Sequence, residues 1–274
     1  MIGQFFYAVF GQPILNILVA FYKLFLLAKI PGAFGWAIIA LTLFIRLILH
    51  PFFKQQMDTA RKMQEVKPHL DRLSAKYKKD PKKLQEEQMK MYRQMGLNPA
   101  SGCLMPLIQL PVFYALYTTL SHFLSTNNQK LIAQINKDLY SPALKITAID
   151  PIFFGLNLAA TPALAAKAGQ WYMYVIPVIT GLLQYFQVQL STPATVPAAA
   201  VKKEEAGKDG KKKEPGTGED FQKAMNMQMK YFFPVMIGWF SLNLPIGLAF
   251  YWNIFSLFSI VQGYSMRKAK EVKS

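Results

Sequence analysis

Long apolar stretches alternate with strongly basic ones along this chain, and this alternation constrains the fold more than any other feature. Of the 274 residues, 52% are hydrophobic, yet the formal net charge is +16. Three stretches, Lys54–Arg93, Lys202–Lys230 and Arg267–Lys273, hold 24 of the 31 Lys and Arg residues. Apolar segments joined by charged loops are typical of membrane-spanning helices. The sequence therefore predicts an all-α integral membrane protein.

Five segments are predicted to cross the membrane as a core of helices. They are Gly35–His50, Gly102–Phe123, Tyr172–Leu190, Phe232–Leu242 and Ile246–Gln262. The basic stretches follow the first, third and fifth of these spans, so alternation places all three on the same side. Because cytoplasmic loops carry an excess of Lys and Arg, that side is predicted to be the cytoplasm. We therefore expect a multi-pass membrane protein with a cytoplasmic C-terminus.

The N-terminal region, residues 1–34, allows two interpretations. Gln12, Asn16 and Lys23 form one narrow polar stripe on a helix that is otherwise apolar. This pattern favours an amphipathic helix that lies in the membrane interface with the stripe toward water. A sixth span is the alternative, because residues 5–29 are apolar enough to cross the bilayer.

The regions between the spans differ in character. Met63, Val66, Leu70, Leu73 and Tyr77 follow a 3-4-3-4 spacing, which is typical of a coiled-coil seam. In its first part the chain is expected to form the first span at 35–51, a cytoplasmic helical hairpin at 52–98, and spans two and three at 99–190, with an outer loop at 124–170. A disordered basic loop at 191–230, spans four and five at 231–265 and a basic tail at 266–274 are expected to follow.

Arg46 lies inside the first predicted span and is the most informative single residue. A guanidinium in hydrocarbon costs about 2.5–3.5 kcal/mol on insertion scales, so it needs water, a partner or a ligand. Thr42, Arg46 and His50 share one helix face, and the five spans contain no Asp or Glu. We therefore expect a hydrated cavity at rest, in which cysteines at Thr42, Gln184 and Ser259 react with water-borne maleimide. Snorkelling of Arg46 to the interface is the alternative.

The sequence contains no pattern that predicts catalysis, a metal site or a cofactor. Cys103 is the single cysteine, so an intramolecular disulfide is excluded. His50, His69 and His122 lie in different segments without ligand spacing. There is no phosphate-binding loop, no HExxH motif and no GxSxG motif. The sequence therefore favours a protein that is not an enzyme.

Three ordered motifs carry a resemblance to a known family. They are Asn98–Leu104 with Pro106–Tyr117, Leu43–Leu47 with Pro51, and Leu244–Trp252. Together they resemble the signatures of the YidC/Oxa/Alb membrane protein insertases, in a short form without the large outer domain of Gram-negative members. The resemblance implies a five-helix core with a hydrophilic groove that is open to lipid and cytoplasm.

The resemblance, together with the polar faces of the predicted spans, predicts groove residues, partners and a location in a bacterial plasma membrane. It identifies Arg46 as the groove arginine, and the expected groove residues are Arg46, Thr42, Gln109, Gln184, Gln187, Trp239, Tyr251 and Ser259. The expected partners are nascent membrane proteins, the ribosome through the basic loop and tail, the general translocon and anionic lipids. Two other functions stay open: an anion-binding transporter or channel, and a membrane scaffold that tethers ribosomes.

Overall fold

The structure is a computed structural model that describes residues 2–77, 80–96, 113–118, 128–191 and 227–271. Most of these residues are helical, which confirms the prediction of a mainly helical protein. Most of the second predicted span, with Gln109 and the Asn98–Leu104 motif, lies outside the described residues. So do nearly all of the predicted basic loop and the last residues of the basic tail.

Two helical segments near the N-terminus pack against each other. Helix α1 (Ile2–Phe6) continues through a π-helical turn into α2 (Gln12–Leu27), and α3 (Ala33–Ile48) follows after a short turn. Gly32 has a φ of +71°, a left-handed conformation that favours glycine. Edge-to-face ring pairs, including Tyr22 with Phe34, join α2 to α3.

A second pair of helices follows the first predicted span directly. A single residue, Leu49, separates α3 from helix α4 (His50–Lys76), and α5 (Pro81–Gln94) packs antiparallel to α4. The Asp80 side chain caps α5 by accepting a hydrogen bond of 3.1 Å from the backbone N–H of Lys83. Val66 and Tyr92 form the buried seam between the two helices, and burial raises the pKa of the Tyr92 hydroxyl.

The predicted outer loop at 124–170 contains a short β hairpin besides the short helices and loop that we expected from its sequence. Its described elements are α6 (Asn128–Asp138), a 3₁₀ turn (Pro142–Leu144), strands β1 (Ile152–Phe153) and β2 (Leu156–Asn157) and α7 (Pro162–Lys167). A second 3₁₀ turn (Trp171–Tyr174) follows the loop. The strands pair antiparallel, with Phe153 opposite Leu156. Phe153 packs against Trp36 and Phe250, so this hairpin closes one end of the helical bundle.

The polar stripe of the N-terminal helix faces protein and not water, which corrects the orientation predicted from the sequence. Gln12 and Asn16 donate to the carbonyl of Asp138 at 3.0 and 3.1 Å, and Asn16 accepts from the N–H of Tyr140 at 2.7 Å. Lys23 donates to the carbonyls of Ala143 and Lys145. Backbone groups of the outer segment replace the water that we expected to satisfy the stripe.

Three helices complete the C-terminal half. Helix α8 (Val175–Ser191) packs against α9 (Phe233–Ser241), which follows a π-helical turn, and against α10 (Ile246–Glu271). The backbones of α8 and α9 come close at two glycines, since a Cβ on Gly238 would lie 3.3 Å from the Cα of Gly181. The first N–H groups of α10 donate to the carbonyls of Ala160 and Leu158 at 2.8 Å, so the outer segment caps this helix.

Among the described residues, three helical segments are long and apolar enough to cross a membrane: Gln4–Leu27, Trp171–Leu190 and Ile246–Ser265. The last two correspond to the third and fifth predicted spans, and the first predicted span is a shorter apolar helix. The chain is thus a helical membrane protein. The complete five-helix core stays a prediction, as does the choice between an interfacial and a spanning N-terminal helix.

Candidate functional site

Arg46 lies in the last turn of α3 and points into the bundle, where its side chain is 1% exposed. Its Nη2 donates a hydrogen bond of 2.7 Å to the carbonyl of Phe255 and another to the hydroxyl of Ser259, both on α10. Hydrogen bonds from a charged donor stabilise by about 1.5–3 kcal/mol each. These two contacts alone can offset much of the cost of placing the guanidinium in hydrocarbon.

Aromatic rings cover the faces of the guanidinium. Its Cζ lies 3.7 Å from the ring centroid of Phe255, 4.1 Å from that of Phe53 and 5.5 Å from that of Phe258. A desolvated cation–π contact of this kind contributes about 2 kcal/mol. We call this group of residues the Arg46 cluster; its members are Arg46, Phe53, Phe255, Phe258 and Ser259. In this cluster the arginine is held by protein groups and is not open to water.

This burial corrects the expectation of an open, hydrated cavity at rest. Thr42 is 1% exposed and Gln184 is 5% exposed, while Ser259 is half-buried. Among the described residues, no carboxylate lies within salt-bridge distance of Arg46. The sequence led us to expect water around the guanidinium, whereas in the structure aromatic rings and two oxygen atoms contact it.

A second polar contact lies between α8 and α10. The indole N–H of Trp252 donates to Oε1 of Gln184 at 2.8 Å. Helix α10 contacts both α3 and α8, and Trp252, Phe255 and Ser259 follow one another at spacings of three and four residues. One face of α10 therefore carries the partners of both Arg46 and Gln184.

Unused hydrogen-bonding capacity is also present near these residues. Within the described part of the chain, four buried side-chain atoms make no hydrogen bond: Arg46 Nε, Gln187 Oε1, Asn253 Oδ1 and Ser256 Oγ. A buried polar group without a partner costs about 1–3 kcal/mol. All four lie on α3, α8 or α10, so these helices carry donors and acceptors that an additional polar group could satisfy.

The remaining predicted site residues differ in their positions. Thr42 satisfies its own hydroxyl by donating to the carbonyl of Ile38 at 2.7 Å. Tyr251 is 1% exposed, on the buried side of α10. Trp239 is 71% exposed on α9 and does not join the Arg46 cluster. Gln109 lies outside the described residues.

Several residues of the site were missed by sequence reasoning. Phe53 and Phe255 supply the nearest rings, and Trp252 supplies the donor to Gln184. His50 Nδ1 lies 3.2 Å from Nε2 of Gln262, a contact between the start of α4 and α10. The helical spacing of Trp252, Phe255 and Ser259 was the available signal. In the described residues no group of His, Cys, Asp or Glu side chains could hold a metal ion.

Comparison with known proteins identifies the family to which this sequence is similar. The family model described as 60Kd inner membrane protein matches residues 26–273. The membrane protein insertase YidC of Caulobacter vibrioides (strain NA1000 / CB15N) is 30% identical over an alignment of 277 positions. The alignment covers 97% of this chain and 37% of that protein. This chain therefore spans well under half the length of that relative.

Two further relatives broaden the comparison. The membrane protein insertase YidC of Caldanaerobacter subterraneus subsp. tengcongensis is 30% identical over 88% of this chain and 89% of its own length. The inner membrane ALBINO3-like protein 2, chloroplastic, of Chlamydomonas reinhardtii is 29% identical over 89% of this chain and 52% of its own length. Because the family model matches nearly the whole chain, this chain belongs to the 60Kd inner membrane protein family, the family of the YidC and Albino3 proteins.

Proposed function

We propose that this protein inserts newly made membrane proteins into the bacterial plasma membrane and assists their folding. The buried arginine between α3 and α10 is the observation that supports this proposal most directly. It places a positive charge inside the membrane part of the protein with no carboxylate within salt-bridge distance among the described residues, and its own buried Nε makes no hydrogen bond. A polar or acidic segment of a client chain could satisfy both.

The proposed mechanism involves no covalent chemistry. A client's polar tail enters a groove formed by α3, α8 and α10, and its apolar segment partitions sideways into lipid. The proposed lining residues of this groove are Gln109 from the second span and Thr42, Gln184, Gln187, Tyr251 and Ser259. Trp239 is proposed to contact the client's apolar segment from the lipid side, because its ring is exposed on α9. Such partitioning needs no nucleotide and no metal.

The proposed partners follow the charge distribution. The ribosome and anionic lipids are proposed to bind the basic stretches Lys202–Lys230 and Arg267–Lys273 on the cytoplasmic side, since polyanions attract such segments electrostatically. Cooperation with the general translocon is proposed for clients with longer translocated regions. The C-terminus is proposed to be cytoplasmic, by the positive-inside rule.

Reconstitution of the purified chain in liposomes tests this function. The client is a single-span protein with a short acidic tail, and insertion is measured by protection of the tail from added protease. We expect Arg46→Ala to abolish insertion of this client and Arg46→Lys to retain much of it, because a positive charge is the required property. A client without acidic tail residues serves as the control and should be less affected.

The outcomes separate the alternatives. Wild-type liposomes that do not protect the tail would contradict the insertase function. Anion flux through the same liposomes that depends on Arg46 would indicate a transporter or channel. Full insertion by Arg46→Ala would eliminate the charge mechanism, and ribosome binding without any insertion would leave a tethering scaffold.

A further inference from the structure

One of the two rings nearest to Arg46 belongs to the helical hairpin and not to the membrane bundle. Phe53 lies in the first turn of α4 and is 6% exposed. Its ring packs edge-to-face against Phe255 at 6.0 Å between centroids, and it also covers the guanidinium. The position of the hairpin therefore decides whether this face of the arginine is covered.

The helical backbone conformation is broken at one residue directly before this helix, although Leu49 still donates to the carbonyl of Ile45 at 2.9 Å and accepts from the N–H of Phe53 at 3.1 Å. α3 ends at Ile48, α4 begins at His50, and Leu49 between them has φ −85° and ψ 1°, outside the helical range. A single non-helical residue between two helices can absorb a change in their relative direction. Leu49 is thus placed to act as a hinge between the first span and the hairpin.

Two residues at the root of the hairpin contact the bundle. His50 contacts Gln262, and Phe53 contacts Arg46 and Phe255. The neighbouring Phe52 is 53% exposed, and further along the hairpin the buried residues Val66 and Tyr92 pack on each other. Movement of α4 about Leu49 would therefore disrupt the contacts that this root makes with the Arg46 cluster.

We infer that the root of the hairpin is a gate, in which Phe53 covers Arg46 at rest and uncovers it when α4 turns about Leu49. Opening would expose the guanidinium to water and to an acidic segment of a client. The inference rests on the proposed insertase function. It explains how a fully buried arginine could become accessible, and it couples events at the cytoplasmic hairpin to the groove.

Cysteine accessibility tests the gate in the absence of any client. Thr42→Cys, in a Cys103→Ser background, places a reporter one turn from Arg46 at a position that is 1% exposed. In inside-out vesicles, a membrane-impermeant maleimide should label this cysteine slowly. Phe53→Ala should accelerate labelling by on the order of tenfold, which corresponds to the loss of one desolvated cation–π contact.

Phe52→Ala is the matched control, because it removes the same type of side chain from the adjacent, exposed position. It should leave the labelling rate unchanged. Equal rates in the Phe53→Ala and Phe52→Ala proteins would overturn the gate.

A reversible lock tests the same inference without altering Phe53. His50→Cys and Gln262→Cys place two thiols at side chains that touch in the resting structure, again in the Cys103→Ser background. A short bis-maleimide with a cleavable disulfide should join them and reduce client insertion at least about tenfold. Reductant should restore it. Each single-cysteine variant treated with the reagent is the control.

The results distinguish the gate from the function on which it rests. If the wild-type protein inserts the client and the locked protein inserts it equally fast, the gate is wrong and the insertase stands. If wild-type liposomes insert no client at all, the insertase proposal fails, and the gate fails with it.

Discussion

Trp252 is a single residue whose contribution can be isolated. Its indole N–H donates to the buried amide oxygen of Gln184, so Trp252→Phe removes the donor and keeps an aromatic ring. An acceptor left unsatisfied in a buried place costs about 1–3 kcal/mol. We expect a lower midpoint of thermal unfolding in detergent, measured by the loss of monodisperse protein in size-exclusion chromatography. Trp239→Phe, at a 71% exposed position, is the control. Equal shifts in both variants would contradict a specific role for this hydrogen bond.

Gly35 leaves the space in which the ring of Phe153, from the outer β hairpin, packs against the helical bundle. A Cβ at this position would overlap the ring of Phe153. Overpacking of this kind costs about 1–3 kcal/mol, so Gly35→Ala should lower the unfolding midpoint. Phe153→Ala should be destabilising alone, but the double variant should lose less than the sum of the two single changes, because the missing ring leaves room for the methyl group.

The matched control for this cycle is Phe154→Ala, whose ring is 75% exposed. Combined with Gly35→Ala, it should give additive shifts. Additive shifts in the Gly35→Ala and Phe153→Ala pair as well would show that the ring does not occupy this space in solution.

At the scale of residues, the sequence identified the charge but not its surroundings. Arg46 stands out because a guanidinium in an apolar run has few physical solutions. Phe52 and Phe53 look alike in the sequence, yet one is exposed and the other covers the arginine. An aromatic residue that faces lipid and one that faces a cation satisfy the same apolar pattern. Their difference depends on where α10 lies, and that is a property of the tertiary structure.

At the scale of elements, α8 and α9 depend on a close approach of their backbones. A Cβ on Gly238 would lie 3.1 Å from the carbonyl oxygen of Pro177, and one on Gly181 would lie 3.3 Å from that of Pro234. Small residues let helices approach closely where lipid supplies no hydrophobic driving force. We expect Gly238→Ala to separate the helices and to lower the unfolding midpoint, with a smaller effect for Gly181→Ala.

Val235→Ala provides the control on the same helix, because that side chain is 71% exposed. It should have little effect on the midpoint. A Gly238→Ala protein as stable as the wild type would mean that the two backbones are further apart in the membrane.

The N-terminal helix shows where element-level prediction reached its limit. The stripe of Gln12, Asn16 and Lys23 was evident from helical spacing, and the structure keeps these residues on one face. Water and backbone groups of another segment satisfy such side chains equally well, so the sequence could not decide between them. The outer β hairpin was missed because strands of two residues are too short to show an alternating pattern.

At the scale of the whole molecule, the hairpin is expected to be separable from the bundle. Deleting Asp58–Met95 removes the seam of Val66 and Tyr92 but keeps Phe53, so the Arg46 cluster retains its cover. We expect the shortened protein to fold with a nearly unchanged unfolding midpoint, and to lose client insertion because recruitment fails. Insertion is measured in the liposome assay. Full activity of the shortened protein would show that the hairpin is dispensable.

The distribution of charge over the whole molecule predicts that ribosome binding depends steeply on salt concentration. Lys202–Lys230 and Arg267–Lys273 together hold 12 of the 31 basic residues in two short stretches that are predicted to face the same side. If they bind ribosomal RNA, each phosphate contact releases counterions, so the logarithm of the association constant should fall linearly and steeply with the logarithm of salt concentration. Ribosome binding in a salt titration, measured by co-sedimentation with proteoliposomes, gives that slope.

Replacing the lysines of Lys202–Lys230 by Gln should lower both the affinity and the slope of ribosome binding. The same number of Lys→Gln changes within Lys54–Arg93 tests whether position matters besides charge. Binding that is independent of salt, or equally weakened by both sets of substitutions, would contradict a dedicated electrostatic contact through the loop and tail.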